Sequence, residues 1–200
     1  MSLKVGITGG IGAGKSMVAE IFSTFGIPIY NADLMAKKLM DSHPALKESI
    51  RATFGEKSYI QGHLNRSFLA QTIFSSEENL ARMNELVHPV VINDYENWHR
   101  AHPLQLYTIK EAALLFESGS YKDLDKIILV IAPSTIRLQR ILLRDQHRTR
   151  TDIENIMARQ MSDKDKKKLA DFIIINDEHK MVIPQVLEIH DKLLNEIKQD

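Results

Sequence analysis

GITGGIGAGKS, residues 6–16, places five glycines beside one lysine. A glycine run forfeits side-chain packing and raises the entropy lost on folding, so it belongs where a chain must bend tightly or let another group approach. Upstream, Leu3, Val5 and Ile7 alternate as in a short strand. Downstream, Val18, Ile21, Phe22 and Phe25 recur at helical spacing. Within this strand-loop-helix unit, Gly9, Gly14, Lys15 and Ser16 satisfy G-x-x-x-x-G-K-[ST]. In that motif, backbone N–H groups and a helix N-terminus surround phosphate oxygens while the lysine reaches the outer phosphates and the serine hydroxyl can hold Mg²⁺. Lys15 is expected to face solvent when no phosphate is bound. The bland alternative is a glycine-rich turn with a surface lysine.

Composition narrows the partners. With 200 residues, 44% of them hydrophobic, the chain can bury one substantial core and carry inserted subdomains. Lys plus Arg and Asp plus Glu both number 26, so no net positive field argues for nucleic acid, and an anionic ligand must be held by local chemistry. There are no cysteines, which excludes disulfides and thiolate metal sites. The longest apolar run, IILVIA at 127–132, is too short to span a bilayer. The expectation is a cytoplasmic protein, monomeric or a small homo-oligomer, without membrane or nucleic-acid partners.

Along the chain, Gly26 and Pro28 end the first helix before the brief strand IPIY, and Asn31, Ala32 and Asp33 follow at that strand's C-terminal end. A helix is expected from Ser42 to Gly55 with Pro44 in its first turn, then a loop or short hairpin at EKSYIQGHLN. Residues 66–100 read as helical, with a capping box at Ser75 and Glu78 and a break at His88-Pro89. LQLYTIKEAALLF and KIILVIAPS read as buried strands, and FIIIN as the last. Between the last two, Thr151 with Glu154 and Ser162 with Asp165 are further capping-box candidates. A terminal helix would carry Ile183, Val186, Leu187, Leu194 and Ile197.

This alternation predicts an α/β fold: a parallel sheet of the P-loop NTPase type with helices on both faces and the ligand at the C-terminal strand ends. Residues 61–103 would form an inserted helical substrate subdomain, residues 136–169 a lid, and residues 1–60, 104–135 and 170–200 the core of one kinase domain. Phosphoryl transfer then requires a base, a metal-holding carboxylate and cations. Asp33 suits the base, although a carboxylate there also suits a helix cap. Glu111, after the strand YTIK, could orient Mg²⁺ through water, or be a buried or capping carboxylate. Arg137, Arg140 and Arg144 share one helical face; Arg140 and Arg144 come first as phosphate contacts, with a solvated basic face as the alternative. His99 and His102 lack nearby carboxylate or cysteine ligands and read as a surface pair. Met17 fits packing against the sheet better than ligand contact. A GTPase switch would need D-x-x-G and N-K-x-D, and neither string occurs.

In this order and spacing, GITGGIGAGKS, NAD ending at Asp33, GHLNR, ELVHPVV, LLFESG, IAPS, RILLRD, ARQ at 158–160 and IIIN resemble the dephospho-coenzyme A kinase family over nearly the whole chain. The resemblance implies a P-loop core, a helical region for the coenzyme A precursor, and a lid. It implies ATP-dependent phosphorylation of the ribose 3′-hydroxyl of dephospho-CoA, the last step of coenzyme A synthesis, with Mg²⁺. It also implies that Asp33, Lys15 and Arg140 are catalytic, and that Gly12, Ala13, Gly14, Lys15, Ser16, Met17, Arg144 and Asn176 bind ATP. Asn176 matches a position near the adenine. Asp33, Arg66 and His88 would meet the acceptor, and Ser16 and Glu111 the metal. The family usually has aspartate where Glu111 stands, proline at Ala113 and threonine at Met17, and QHRTRT is more basic than its lids usually are. The alternative is a P-loop kinase of another small-molecule or nucleotide hydroxyl.

Overall fold

A computed structural model of the chain describes residues 2–74 and 76–197. They divide into two compact units, one comprising the residues up to Asn31 and from Ala101 onward, the other Ala32–Arg100.

The first unit is built on a parallel sheet. Its strands are β1 (Leu3–Thr8), β2 (Ile29–Asn31), β5 (Tyr107–Glu111), β6 (Lys126–Ile131) and β7 (Phe172–Ile175), in the order β2-β5-β1-β6-β7. β1 is central, with Ile7 opposite Glu111 on one side and Ile128 on the other. Alternation divides each strand between two faces. Val5, Ile7, Ile109, Ile128 and Val130 pack with Val18 and Phe22 of α1 (Lys15–Thr24) and Val186, Ile189 and Leu193 of α9 (Val182–Ile197). Ile127 and Leu129 turn the other way, onto Phe116, Tyr121, Leu124 and Met161. The remaining helices of this unit are α6 (Ser134–Arg144), α7 (Arg150–Arg159) and the single turn α8 (Asp163–Lys166). No described helix is long and apolar enough to cross a membrane.

The second unit is α2 (Ala32–Ser42), α3 (Pro44–Phe54), a hairpin of β3 (Tyr59–Ile60) and β4 (His63–Leu64), α4 (Arg66–Phe74) and α5 (Glu77–Arg100). His43 caps α3 by accepting the Leu46 N–H, and Pro44 opens the helix, where a missing N–H costs nothing. Asp41 accepts the Leu64 N–H at 2.8 Å, fixing the hairpin to the end of α2; that bond and the neighbouring His63 hold its carboxyl below the usual range.

Two local expectations change. Pro89 does not break the helix: α5 runs unbroken through it, because Met83, Val87, Val91 and Tyr95 form one buried stripe on both sides of the proline, and this packing offsets the lost backbone bond. The capping box at α7 is Thr149 with Asp152, two residues before the expected pair, whereas Ser162 does cap α8 by accepting the Asp165 N–H. Ile183 and Leu187 are exposed, and α9 turns Val186, Ile189 and Leu193 inward. Ser75 lies outside the described residues; the adjacent Ser76 accepts the Asn79 N–H at the start of α5.

Candidate active site

The glycine loop leaves β1 and enters α1 at Lys15. Gly14 adopts φ 97° and ψ 23° just before the helix, a left-handed conformation that a side chain would strain, and a Cβ there would lie 2.3 Å from Asn176 Nδ2. No side chain caps α1, so its N-terminal turn can present N–H groups to an external acceptor. Together with the helix dipole, this makes the loop suited to an anion.

Beside it opens a cleft of about 240 Å³ lined by Gly12, Gly14, Lys15 and Ser16 of the loop, by Met17, and by Arg140, Ile141 and Arg144 of α6. Three cations thus border one cavity. Lys15 is not solvent-facing as expected: only 9% of it is exposed, and its Nζ lies 3.4 Å from the Gly10 carbonyl oxygen. The loop's own carbonyl draws the ammonium inward, which orients it along the loop. Met17 departs from expectation in the other direction. It is 44% exposed and lines the cleft, since the helix turns Val18 and Phe22, not Met17, toward the sheet.

At the strand ends, Ser16 Oγ donates to Glu111 Oε1 at 2.9 Å, and Asn31 Nδ2 donates to Glu111 Oε2. Glu111 is 5% exposed and so is a buried carboxylate held by two polar side chains. The sheet register explains the meeting, because Asn31, Glu111 and Ile7 lie abreast on β2, β5 and β1. Serine hydroxyl and carboxylate are the hard oxygen donors that a small divalent cation prefers. Among the described residues no group of three or more His, Asp or Glu could hold a metal unaided. A metal here would therefore share Ser16 with phosphate oxygens and water, the usual arrangement at nucleotide sites.

Residues 3–181 match the sequence family described as dephospho-CoA kinase. The chain belongs to the dephospho-CoA kinase family. The dephospho-CoA kinase of Bacteroides fragilis is 36% identical over 192 residues, covering 94% of this chain and 92% of the relative. That of Porphyromonas gingivalis is 36% identical over 187 residues with the same coverage. Among solved structures, a Thermus thermophilus protein superposes with a TM-score of 0.83 at 28% identity, covering 98% of this chain and 97% of the other. A shikimate kinase from Acinetobacter baumannii shares the P-loop kinase fold at a TM-score of 0.55 and 14% identity, covering 98% and 95%. The family's use of ATP implies a divalent metal.

The other residues expected in this dephospho-CoA kinase family site fall in distinct places. Asn176, at the end of β7, is 7% exposed and turns its amide onto the loop, donating to the Ala13 carbonyl at 2.8 Å. Ala13 is wholly buried and can offer only backbone. Arg140 Nη2 donates to Asn176 Oδ1 at 3.2 Å and lies 3.4 Å from Glu178, while its buried Nη1 finds no acceptor among the described residues. Arg144 is largely exposed and pairs with Asp145 at 3.2 Å. Asp33, Arg66 and His88 belong to the second unit: Asp33 is exposed as the second residue of α2, Arg66 is exposed as the first residue of α4, and His88 is half-buried within α5. Being inside the helix, Asp33 does not hold the capping position.

Two parts of the site went unread in the sequence. Asn31 stands inside the NAD string, yet its bond to Glu111 depends on strand pairing across 80 residues. Arg137 is buried and bonded to the loop, although its helical spacing groups it with the cleft arginines.

The unpartnered Nη1 yields a prediction. If Arg140 meets the transferring phosphoryl group, Arg140→Ala should lower turnover by on the order of 10² while weakening ATP binding far less, because a donor to developing charge acts mainly in the transition state. Steady-state kinetics alongside equilibrium ATP binding measure the split. Equal losses in both would make Arg140 a ground-state phosphate ligand.

Proposed function

We propose that this member of the family transfers the γ-phosphoryl group of Mg-ATP, bound at the glycine loop, to the ribose 3′-hydroxyl of dephospho-CoA. The observation that carries the reading is the single cleft bordered by the loop, by Lys15 and by Arg140 and Arg144, with Ser16 bonded to the buried Glu111. Phosphoryl transfer is catalysed by positioning and charge neutralisation, and these residues provide both.

In this reading the N–H groups at Gly12, Gly14, Lys15 and Ser16 cradle the phosphates, and the Ala13 backbone shapes the turn between them. Lys15, whose Nζ lies along the loop at 3.4 Å from the Gly10 carbonyl, meets an outer phosphate oxygen. Arg140 and Arg144 meet the charge that spreads over the transferring group. Met17 lends an apolar wall to the nucleotide, and Asn176 fixes the loop beside the base. Ser16 and Glu111 would hold Mg²⁺, Glu111 through water. When bound, Mg²⁺ would supply positive charge that offsets the charge of the phosphates. Asp33 takes the proton of the acceptor hydroxyl; it follows by two residues the strand end that carries Asn31, and it is exposed to an incoming substrate. Arg66 and His88 contribute to acceptor binding, residues 61–103 form the acceptor-binding insertion, and residues 136–169 the lid. A cytoplasmic monomer or small homo-oligomer completes the proposal.

The test is to incubate the protein with Mg-ATP and, separately, dephospho-CoA, nucleoside monophosphates and shikimate, following ADP. Turnover is expected mainly with dephospho-CoA. Equal or faster turnover with a nucleoside monophosphate or shikimate would overturn the acceptor.

A further inference from the structure

Ile11, third in the loop motif, is gripped from both sides by side chains far away in sequence. Its N–H donates to Gln160 Oε1 at 2.9 Å, and its carbonyl accepts from Arg137 Nε at 2.9 Å. Because each peptide group is planar, these bonds orient two successive planes: Gln160 fixes the Gly10–Ile11 unit, and Arg137 fixes the Ile11–Gly12 unit. The direction of the Gly12 N–H follows from the second, and Gly12 lines the cleft.

Both clamping residues are themselves restrained. Arg137 is 8% exposed, and its Nη1 lies 3.5 Å from Asp163 Oδ2. Gln160 is the residue that ends α7; the next residue, Met161, donates its N–H to Glu117 Oε1 at 2.9 Å. The fully buried Lys166 brings its Nζ to the same oxygen at 2.9 Å. Only the lysine of this pair is fully buried, and removing its counter-charge would leave a buried ammonium alone, so Lys166 and Met161 both hold the segment to Glu117. Gly10 makes room for the clamp: a Cβ there would lie 2.2 Å from Arg137 Nη2. The bareness of the loop therefore serves side chains packed against it from within the protein as well as any phosphate.

We infer that Gln160 and Arg137 are positioning residues that set the geometry of the phosphate cradle and tie it to the end of α7. The inference rests on the proposed role of the loop in binding ATP. Gln160→Met keeps the length of the side chain and removes the acceptor; Gln160→Glu keeps an acceptor oxygen. Exchange of the Ile11 amide, followed by NMR in the ligand-free protein, should accelerate about tenfold in Gln160→Met and stay slow in Gln160→Glu, the size of effect expected for losing one hydrogen bond. Turnover of Gln160→Met should fall by a similar factor of about ten while KM for dephospho-CoA stays within about twofold. Unchanged Ile11 exchange in Gln160→Met, or faster exchange with unchanged turnover, would overturn the clamp. Failure of the functional reading is seen separately, as a wild-type protein that yields no ADP from dephospho-CoA. In that event the exchange rates, with ATP affinity in place of turnover, still decide the clamp.

Discussion

Asp33→Asn is expected to give a folded, ATP-binding protein whose turnover has fallen by on the order of 10² to 10⁴, the usual cost of removing a positioned general base. The amide preserves the volume of the carboxylate and leaves it unable to accept the proton of the acceptor hydroxyl. Asp33 is the second residue of α2, so the substitution also removes a first-turn negative charge, worth at most about 1 kcal/mol to the helix. The two effects fall on different measurements. Melting temperature and ATP affinity should barely move while turnover collapses. A variant that melts earlier, yet whose folded fraction turns over normally, would make Asp33 a helix-stabilising charge and leave the base to be found elsewhere.

Lys15→Met is expected to impair both ATP affinity and turnover, the latter by on the order of 10² to 10³, comparable with loss of one preorganised donor to developing charge. Methionine suits this test better than alanine because Lys15 is buried to 9% exposure and its stem fills space beneath the loop. The Gly10 carbonyl that Lys15 now approaches would lose a donor, a small local loss next to the removal of a charge from the outer phosphates. Isothermal titration with ATP and steady-state kinetics read the two effects. Near-normal values in both would refute the phosphate cradle itself.

What the sequence disclosed and what it hid divide by range. The glycine loop was legible because its signal is local: strand, fixed glycine spacing and helix occupy the first 25 residues. β6 was legible because its apolar run is buried on both faces of the parallel sheet, whereas β1 showed as the alternation of Leu3, Val5 and Ile7 and β7 as a short β-branched run. Pro89 misled because its local effect is outweighed by a stripe of buried side chains whose partners lie on other helices. Which apolar residues of α9 face inward was not legible, because an apolar-rich helix fits two helical phases and only packing chooses between them. Thr149 and Thr151 are both plausible caps two residues apart, and only backbone geometry separates them. In the site, Lys15 and Ser16 came from the motif, whereas the bond between Ser16 and Glu111 needed the register of β1 and β5. Gln160 and Arg137 meet Ile11 across 149 and 126 residues, so no local pattern could announce them. Only the ARQ string of the family resemblance drew attention to the first.

The placement of β1 at the centre of the sheet also bears on how the chain is made. Leu3–Thr8 is synthesised first, yet both of its neighbours, Tyr107–Glu111 and Lys126–Ile131, are synthesised about a hundred residues later. While the nascent chain grows, an apolar strand and the glycine loop behind it have no sheet to join. The segment Ala32–Arg100 meets the opposite situation, since its hairpin pairs within it and α5 packs on α2, α3 and α4 of the same segment. On a growing chain the local contacts of Ala32–Arg100 are therefore available before β1 has either sheet neighbour, and the nucleotide loop can complete its surroundings only once the later strands have been made.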